Sequence, residues 1–376
     1  MKRIAVVTIL AMTTATGSGS AAVEQAAPAP AAASPAASAA PDADGWRTLP
    51  TEAYRGKRDD ISFADPMNGW YGTGKGDLFA TRDGGASWTR VASKPGTFIR
   101  ALGFVDAKTG FIGNVGTDYY PGVTDTTPLY RTDDGGATWA PVDLGGKTVA
   151  GICAIDVLRV QRIYQGRLEP RTIITAAGRV GGPAGMIRST DGGATWRVID
   201  MSAWTSMILD VHFVDEQTGF VAASSARDVA TTNAQILMTR DGGRSWTVVY
   251  RSTRPSELIW KLSFATRTTA YGTLQSYDQG NAHKMVVKSI DGGRSWRELP
   301  LVDNAKAVEL GIGFVDARHG WVGTTVGGFE TKDGGRSFAP APVAVAANKF
   351  RVLRLPSGET RVYAIGTQVQ RLTLGR

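Results

Sequence analysis

Six copies of one short motif divide most of this chain into near-equal parts. They read TRDGGASW (Thr81–Trp88), TDDGGATW (Thr132–Trp139), STDGGATW (Ser189–Trp196), TRDGGRSW (Thr239–Trp246), SIDGGRSW (Ser289–Trp296) and TKDGGRSF (Thr331–Phe338). Their aspartates, Asp83, Asp134, Asp191, Asp241, Asp291 and Asp333, lie 42 to 57 residues apart. So rigid a motif at so long a period marks a chain built from stacked supersecondary units. The motif is that of a hairpin turn. A carboxylate accepts backbone N–H bonds within its own turn, and two glycines supply positive φ. A hydroxyl residue adds a local bond, and the aromatic ring caps the apolar layer beneath. These aspartates are therefore read as structural staples of an Asp-box turn, not as catalytic acids.

A second motif alternates with the first: ISFADPMNGWYG from Ile61, LGFVDAKTGFIG from Leu102, VHFVDEQTGFVA from Val211 and IGFVDARHGWVG from Ile312. Weaker copies start at Ile152 and Leu262. Each reads as strand, short turn, strand. A third strand, the Asp-box turn and a fourth strand complete a propeller blade. Residues from Phe350 to Leu374 supply three more strands without a box, and GWRTLP (Gly45–Pro50) resembles the post-box strand of Trp296–Pro300. The fold expected is all-β: a seven-bladed β-propeller of four-stranded antiparallel blades, closed by an amino-terminal strand that completes the last blade. Such closure removes exposed strand edges.

Ahead of the repeats, Lys2 and Arg3, an apolar stretch from Ile4 to Met12 and small residues through Ala22 have the layout of a cleaved signal peptide, residues 1–22. Residues 23–44, mostly Ala, Pro and Ser, lack the large apolar side chains that would offset ordering entropy and read as a disordered linker. The propeller is assigned to 45–376, with a periplasmic or secreted location and no transmembrane segment in the mature chain. The single cysteine, Cys153, excludes an internal disulfide. The net charge of +8 favours acidic partners in a salt-screened way. No basic cluster interleaved with aromatics points to nucleic acid.

The six boxes and the FxDxxxG(F/W) motif, over about Gly45 to Arg376, resemble the photosystem II stability/assembly factor family of exported seven-bladed propellers. That resemblance implies a non-enzymatic helper that binds membrane-protein partners or assembly intermediates. Asp boxes (BNR repeats) also occur in sialidases, other glycoside hydrolases and sorting receptors. The enzymatic alternative is a sialidase-like glycoside hydrolase or a glycan-binding propeller. A sialidase needs an arginine cluster, a Tyr–Glu nucleophile pair and an acid/base Asp. The early segment WRTLPTEAYRGKRDDISF has no Arg-Ile-Pro motif, although Arg55, Arg58, Asp59 and Asp60 fall there. His212, His283 and His319 are isolated, with no metal-ligand spacing, and no phosphate loop or dinucleotide fingerprint occurs. No catalytic residue, metal or cofactor is assigned. His212 and Cys153 are placed at one first-strand position, with Ser62, Gly103, Ser263 and Gly313.

In a propeller, strand-two-to-three loops and blade connections share one face, opposite the box turns. The variable insertions, from Val115, Ser224 and Leu274, all fall on the former, and loops on a rigid scaffold commonly carry recognition. Trp204 and Trp260, outside the repeat, are placed in blade connections, either as binding anchors or as plugs of the channel mouth. Asp60, Arg100, Asp210, Lys261 and Glu309 are placed just before first strands, near that mouth. The partner site is assigned to Tyr119, Tyr120, Trp204, Trp260 and Tyr277, with Arg100, Asp210, Lys261 and Glu309. An irregular basic piece, Leu158 to Arg171, either meets an acidic partner or is a solvated edge. The expected partner is an envelope or membrane protein, with a glycan as the alternative, and the expected state is a monomer.

Overall fold

The computed structural model describes residues 45–118, 120–164 and 166–375; the leader and the linker inferred above lie outside the described residues, as does Tyr119. The described strands form seven four-stranded antiparallel sheets. In six of them the strands follow in chain order from the innermost outward. The inner strands are Ile61–Phe63, Ile99–Phe104, Ala154–Tyr164, Met207–Phe213, Glu257–Phe264, Glu309–Phe314 and Lys349–Arg354, for blades 1 to 7. Each packs beside the inner strands of its two neighbours, and that of blade 7 packs beside that of blade 1. The result is a closed ring.

The closing strand is Trp46–Thr48, antiparallel to Val369–Leu374 with Trp46 opposite Leu372. Its anchor is Trp46, fully buried and edge-on to Trp321 at 5.7 Å. Further bonds stitch blade 7 to blade 1: the Tyr363 hydroxyl and Arg371 Nη1 both donate to the carbonyl of Gly84, each at 2.9 Å. All these partners fall within one compact unit.

The six boxes form the turns read from the sequence. In blade 3, Ser189 Oγ donates to Asp191 Oδ1 at 2.7 Å and accepts from the Gly193 N–H at 2.8 Å. Asp191 also accepts from the Thr195 amide and hydroxyl, at 3.0 and 2.5 Å. The two glycines have φ of 74° and 92°, the left-handed region that side chains disfavour. In blade 2, bonds from the Thr138 hydroxyl and amide hold the Asp134 carboxyl down to about 2. In five of the six boxes one backbone bond ties the box turn to the strand-one-to-two turn of its own blade, as from Gly135 N to Lys108 O at 2.8 Å. Both turns therefore share a face, here the box face; the loops between strands two and three form the insertion face with the blade connections.

Blade 3 departs from the expected pattern twice. The piece from Leu158 to Arg171 is not irregular: strands Ala154–Tyr164 and Arg167–Gly178 run on as one ladder, from Ala154 opposite Ala177 to Tyr164 opposite Arg167. It projects from the box face, where Gly192 N bonds Thr172 O. The register differs too. Asp156, not Cys153, takes the place of Ser62 and Ser263. Its Oδ2 accepts the Phe213 N–H of the next blade at 3.2 Å, as the serine hydroxyls accept those of Phe104 and Phe314 at 3.1 Å. His212 beside it stacks on Phe264, with Nδ1 3.3 Å from Asp156.

Candidate functional site: the mouth of the central channel

The repeat breaks down at the insertion-face ends of the inner strands. Four of them carry β-bulges, between Ile99 and Ala101, Ile208 and Asp210, Ile259 and Leu262, and Glu309 and Ile312. A bulge leaves extra residues unpaired and re-aims their side chains. The residues skipped include Arg100, Leu209, Trp260 and Leu310. The last three join Phe98, Val115, Cys153, Val180, Met207 and Leu258 in one buried apolar cluster, to which five blades contribute. Around it lie the partly buried Val123, Val229, Tyr277, Val308 and Ala346. Tyr120, 40% exposed, sets its ring edge-on to Phe98 at 5.0 Å. The mouth is thus an apolar cap with an aromatic and aliphatic rim.

Against the cap lies a buried ionic network that crosses the ring. Lys349 of blade 7 meets Asp210 of blade 4 at 3.1 Å. Arg100 Nη1 is 3.0 Å from Asp59, which also pairs with Lys57. The Arg100 guanidinium lies 5.4 Å from the Trp260 ring, whose Nε1 donates to Asn348 Oδ1 at 2.8 Å. Asp60 accepts from Leu102 N and Arg351 Nη2, and Asp210 Oδ2 from Leu262 N. Burial opposes the Asp210 carboxylate, but Lys349 and Lys261 outweigh it and bring its pKa down to about 2. Arg100 and Lys57 likewise outweigh burial at Asp59 and hold it below the ordinary value. Burial pushes the Lys261 ammonium down to about 7, against the pull of Asp210. Low carboxyl pKa values fit counter-ions and not proton donors.

The structure gathers part of the residue set read from the sequence. Tyr120, Tyr277, Trp260, Arg100, Asp210 and Lys261 converge on the mouth, although the last four are buried. Trp260 belongs to an inner strand and not to a blade connection; Arg100, Asp210, Lys261 and Glu309 also lie within strands, because the bulges let those strands run further. Trp204 stays in a connection but packs against a separate cluster with Met186, Met201 and Trp246. Glu309 is fully buried, accepting the Met285 N–H at 3.1 Å, and burial pushes its carboxyl up to about 7. The cap residues Leu209 and Leu310 escaped sequence reading, because a bulge leaves no composition signal. Among the described residues no group of three His, Cys, Asp or Glu side chains is set to hold a metal ion, and no helix is long and apolar enough to cross a membrane.

No family model matches the chain. A xyloglucanase from a Paenibacillus species is 33% identical over 90 residues, a stretch that spans 19% of this chain and 9% of that enzyme. Among solved structures, YCF48 bound to D1 peptide superposes with a TM-score of 0.60 at 17% identity, over 89% of this chain and 96% of that one. The GH74 enzyme of Niastella koreensis gives 0.53 at 16% identity, over 84% of this chain and 52% of the enzyme. At these identities the likeness establishes the fold alone, a β-propeller.

Proposed function

We propose that this chain is a non-catalytic propeller that binds a protein partner at the mouth of its insertion face, in the manner of an assembly or stability factor. The observation that carries this reading is the closed mouth. Side chains from opposite blades meet there, and the carboxylates near the axis are committed to buried cations or backbone N–H groups. Such a surface offers apolar contact and not a reaction cleft. A rim of Tyr120, Val123, Val229, Tyr277 and Val308 fits the aromatic and aliphatic anchors of protein interfaces. The likeness, over 89% of this chain, to a propeller bound to a peptide supports the same reading.

The glycosidase reading draws on the GH74 enzyme and the xyloglucanase. It needs an accessible carboxylic acid of raised pKa paired with a second carboxylate. Glu309 has the raised pKa but no exposure. The amino-terminal residues support the further proposal that the protein works outside the cytoplasm, in the cell envelope.

A Tyr120→Ala/Tyr277→Ala variant tests the reading in affinity capture from envelope extracts. The expected result is a defined protein retained by wild type and lost by the variant. Hydrolysis of xyloglucan or sialoside reporters by wild type, with equal capture by both, would transfer the assignment to the glycosidase. Fractionation of the tagged full chain tests location; a purely cytoplasmic pool would refute export.

A further inference from the structure

The blade-3 ribbon is the largest departure from the repeat, and nothing in the ring requires it. Strands at 3.3 Å per residue carry the segment from Arg159 to its tip about 20 Å along the ribbon. Outward from Gln161 its described side chains are exposed, as far as Pro170 on the return strand. One pair short of the end of the ladder, Ile163 stands directly opposite Leu168, so the two share a face. They are 72% and 69% exposed, the highest values among the large apolar residues described. One exposed aliphatic needs no explanation. A cross-strand pair held at the end of a projecting ribbon does, because water gives it no return.

The surrounding charge is one-sided. Between Leu158 and Arg171 stand Arg159, Arg162, Arg167 and Arg171 against the single acid Glu169. On the flank toward blade 4, Arg162 and Arg171 join Arg188, Arg197 and Arg244 around a groove of about 510 Å³, with Glu216 and Asp241 as its carboxylates. Among the described residues only Arg171 of these five has an ion pair, with Glu216 at 3.3 Å. Arg188 is buried, its guanidinium 3.7 Å from the Phe213 ring, its Nη2 donating to the Glu216 carbonyl. Burial and then the neighbouring Arg244 lower the Arg197 pKa, as expected of cations gathered without enough counter-charge.

We propose that this ribbon docks the propeller on an anionic phospholipid surface, with Ile163 and Leu168 entering below the headgroups and the arginines meeting lipid phosphates. The geometry has the two parts such docking needs, an apolar pair one step from the turn and a cation on either side of it, Arg162 behind and Arg167 ahead. Arg162, across the ladder from Glu169, is one pair back from the aliphatics, at the arginine-lined groove where a lipid phosphate would sit. Arg167, beside the turn, reaches back to the headgroups along its own apolar stem. An acidic peptide would find cations here but no concave apolar wall at the tip, so the membrane is favoured. The ribbon leaves the face opposite the channel mouth, so docking leaves the proposed partner site free.

The test uses residues 45–376, a closed ring with its own core. Wild type is expected to sediment with vesicles of mixed phosphatidylcholine and phosphatidylglycerol, not with phosphatidylcholine alone, and to be released by salt. Ile163→Ser/Leu168→Ser, on an exposed ribbon that leaves the ring intact, should weaken binding by about tenfold, as should Arg162→Gln/Arg167→Gln. Because Cys153 is buried, Ile163→Cys offers one accessible thiol for an environment-sensitive dye, whose emission should shift to the blue on the mixed vesicles. Equal binding to both vesicle types, full binding by the serine variant, or an unshifted dye would overturn the proposal. So would binding to an acidic peptide with none to vesicles. None of these outcomes bears on partner capture through Tyr120 and Tyr277, so the two readings fail separately.

Discussion

The box turns and the channel mouth sit on opposite faces of the same blades and are built by opposite means. Each box is local: aspartate, hydroxyl and glycine amides lie within a few residues of one another, and the pattern recurs six times with hardly a change. The mouth is non-local. Lys349 meets Asp210, and Trp260 meets Asn348, across the ring, and no two blades contribute alike. What repeats builds the scaffold; what differs from blade to blade is free to be specific.

That contrast sets the order of expected effects. Asp210→Ala strands Lys349 and Lys261 in a buried site and should cost about 3–5 kcal/mol. Trp46→Ala removes the anchor of the closing strand and should cost a similar amount, about 3–5 kcal/mol. Asp191→Ala breaks an exposed local turn and should cost only about 1–2 kcal/mol. Denaturant melts of the three variants check the ranking, and a box variant as costly as Asp210→Ala would erase the distinction.

Acid and base responses sharpen it further. The Asp210 contribution is complete above the ordinary carboxyl value of 3.8 and is lost as pH falls toward about 2. Glu309 and Lys261 act against stability. Between 4.5 and about 7 the folded protein holds a proton on Glu309 that the unfolded chain has released, so stability falls as pH rises. Between about 7 and 10.5 the unfolded chain holds a proton on Lys261 that the folded protein lacks, so stability recovers. Melting temperature should pass through a shallow minimum near neutral pH. Glu309→Gln should flatten the acid limb and Lys261→Met the alkaline limb. The smallest effect belongs to the rim: Tyr120→Ala, at a partly exposed ring, should change stability by less than about 1 kcal/mol while reducing partner capture.

The same contrast explains what the sequence disclosed. The box turns were legible because their bonds join residues a few positions apart, and ring closure because Trp46 heads a copy of a post-box strand. Trp260 was misplaced in a connection because a bulge interrupts pairing without changing composition, so the inner strand begins earlier than its alternation implies. Cys153 was aligned with Ser62 because blade 3 lacks the motif that fixes register elsewhere; the bond from Phe213 N to Asp156 sets the true alignment. The ribbon read as irregular because its arginines obscure the alternation that marks a half-buried strand. At the mouth, Tyr120 and Tyr277 were found as aromatics in long loops, whereas Leu209 and Leu310 look like ordinary core residues.

Site-specific photocrosslinking tests the central claim most directly. A benzophenone side chain placed at Tyr120 on the rim, and at the exposed Ile290 of a box turn as a control, would be activated in intact envelopes. The account expects a discrete protein adduct from position 120 and none from position 290. Adducts from position 290 alone, or no protein adduct at the rim while the protein hydrolyses a glycan, would contradict it.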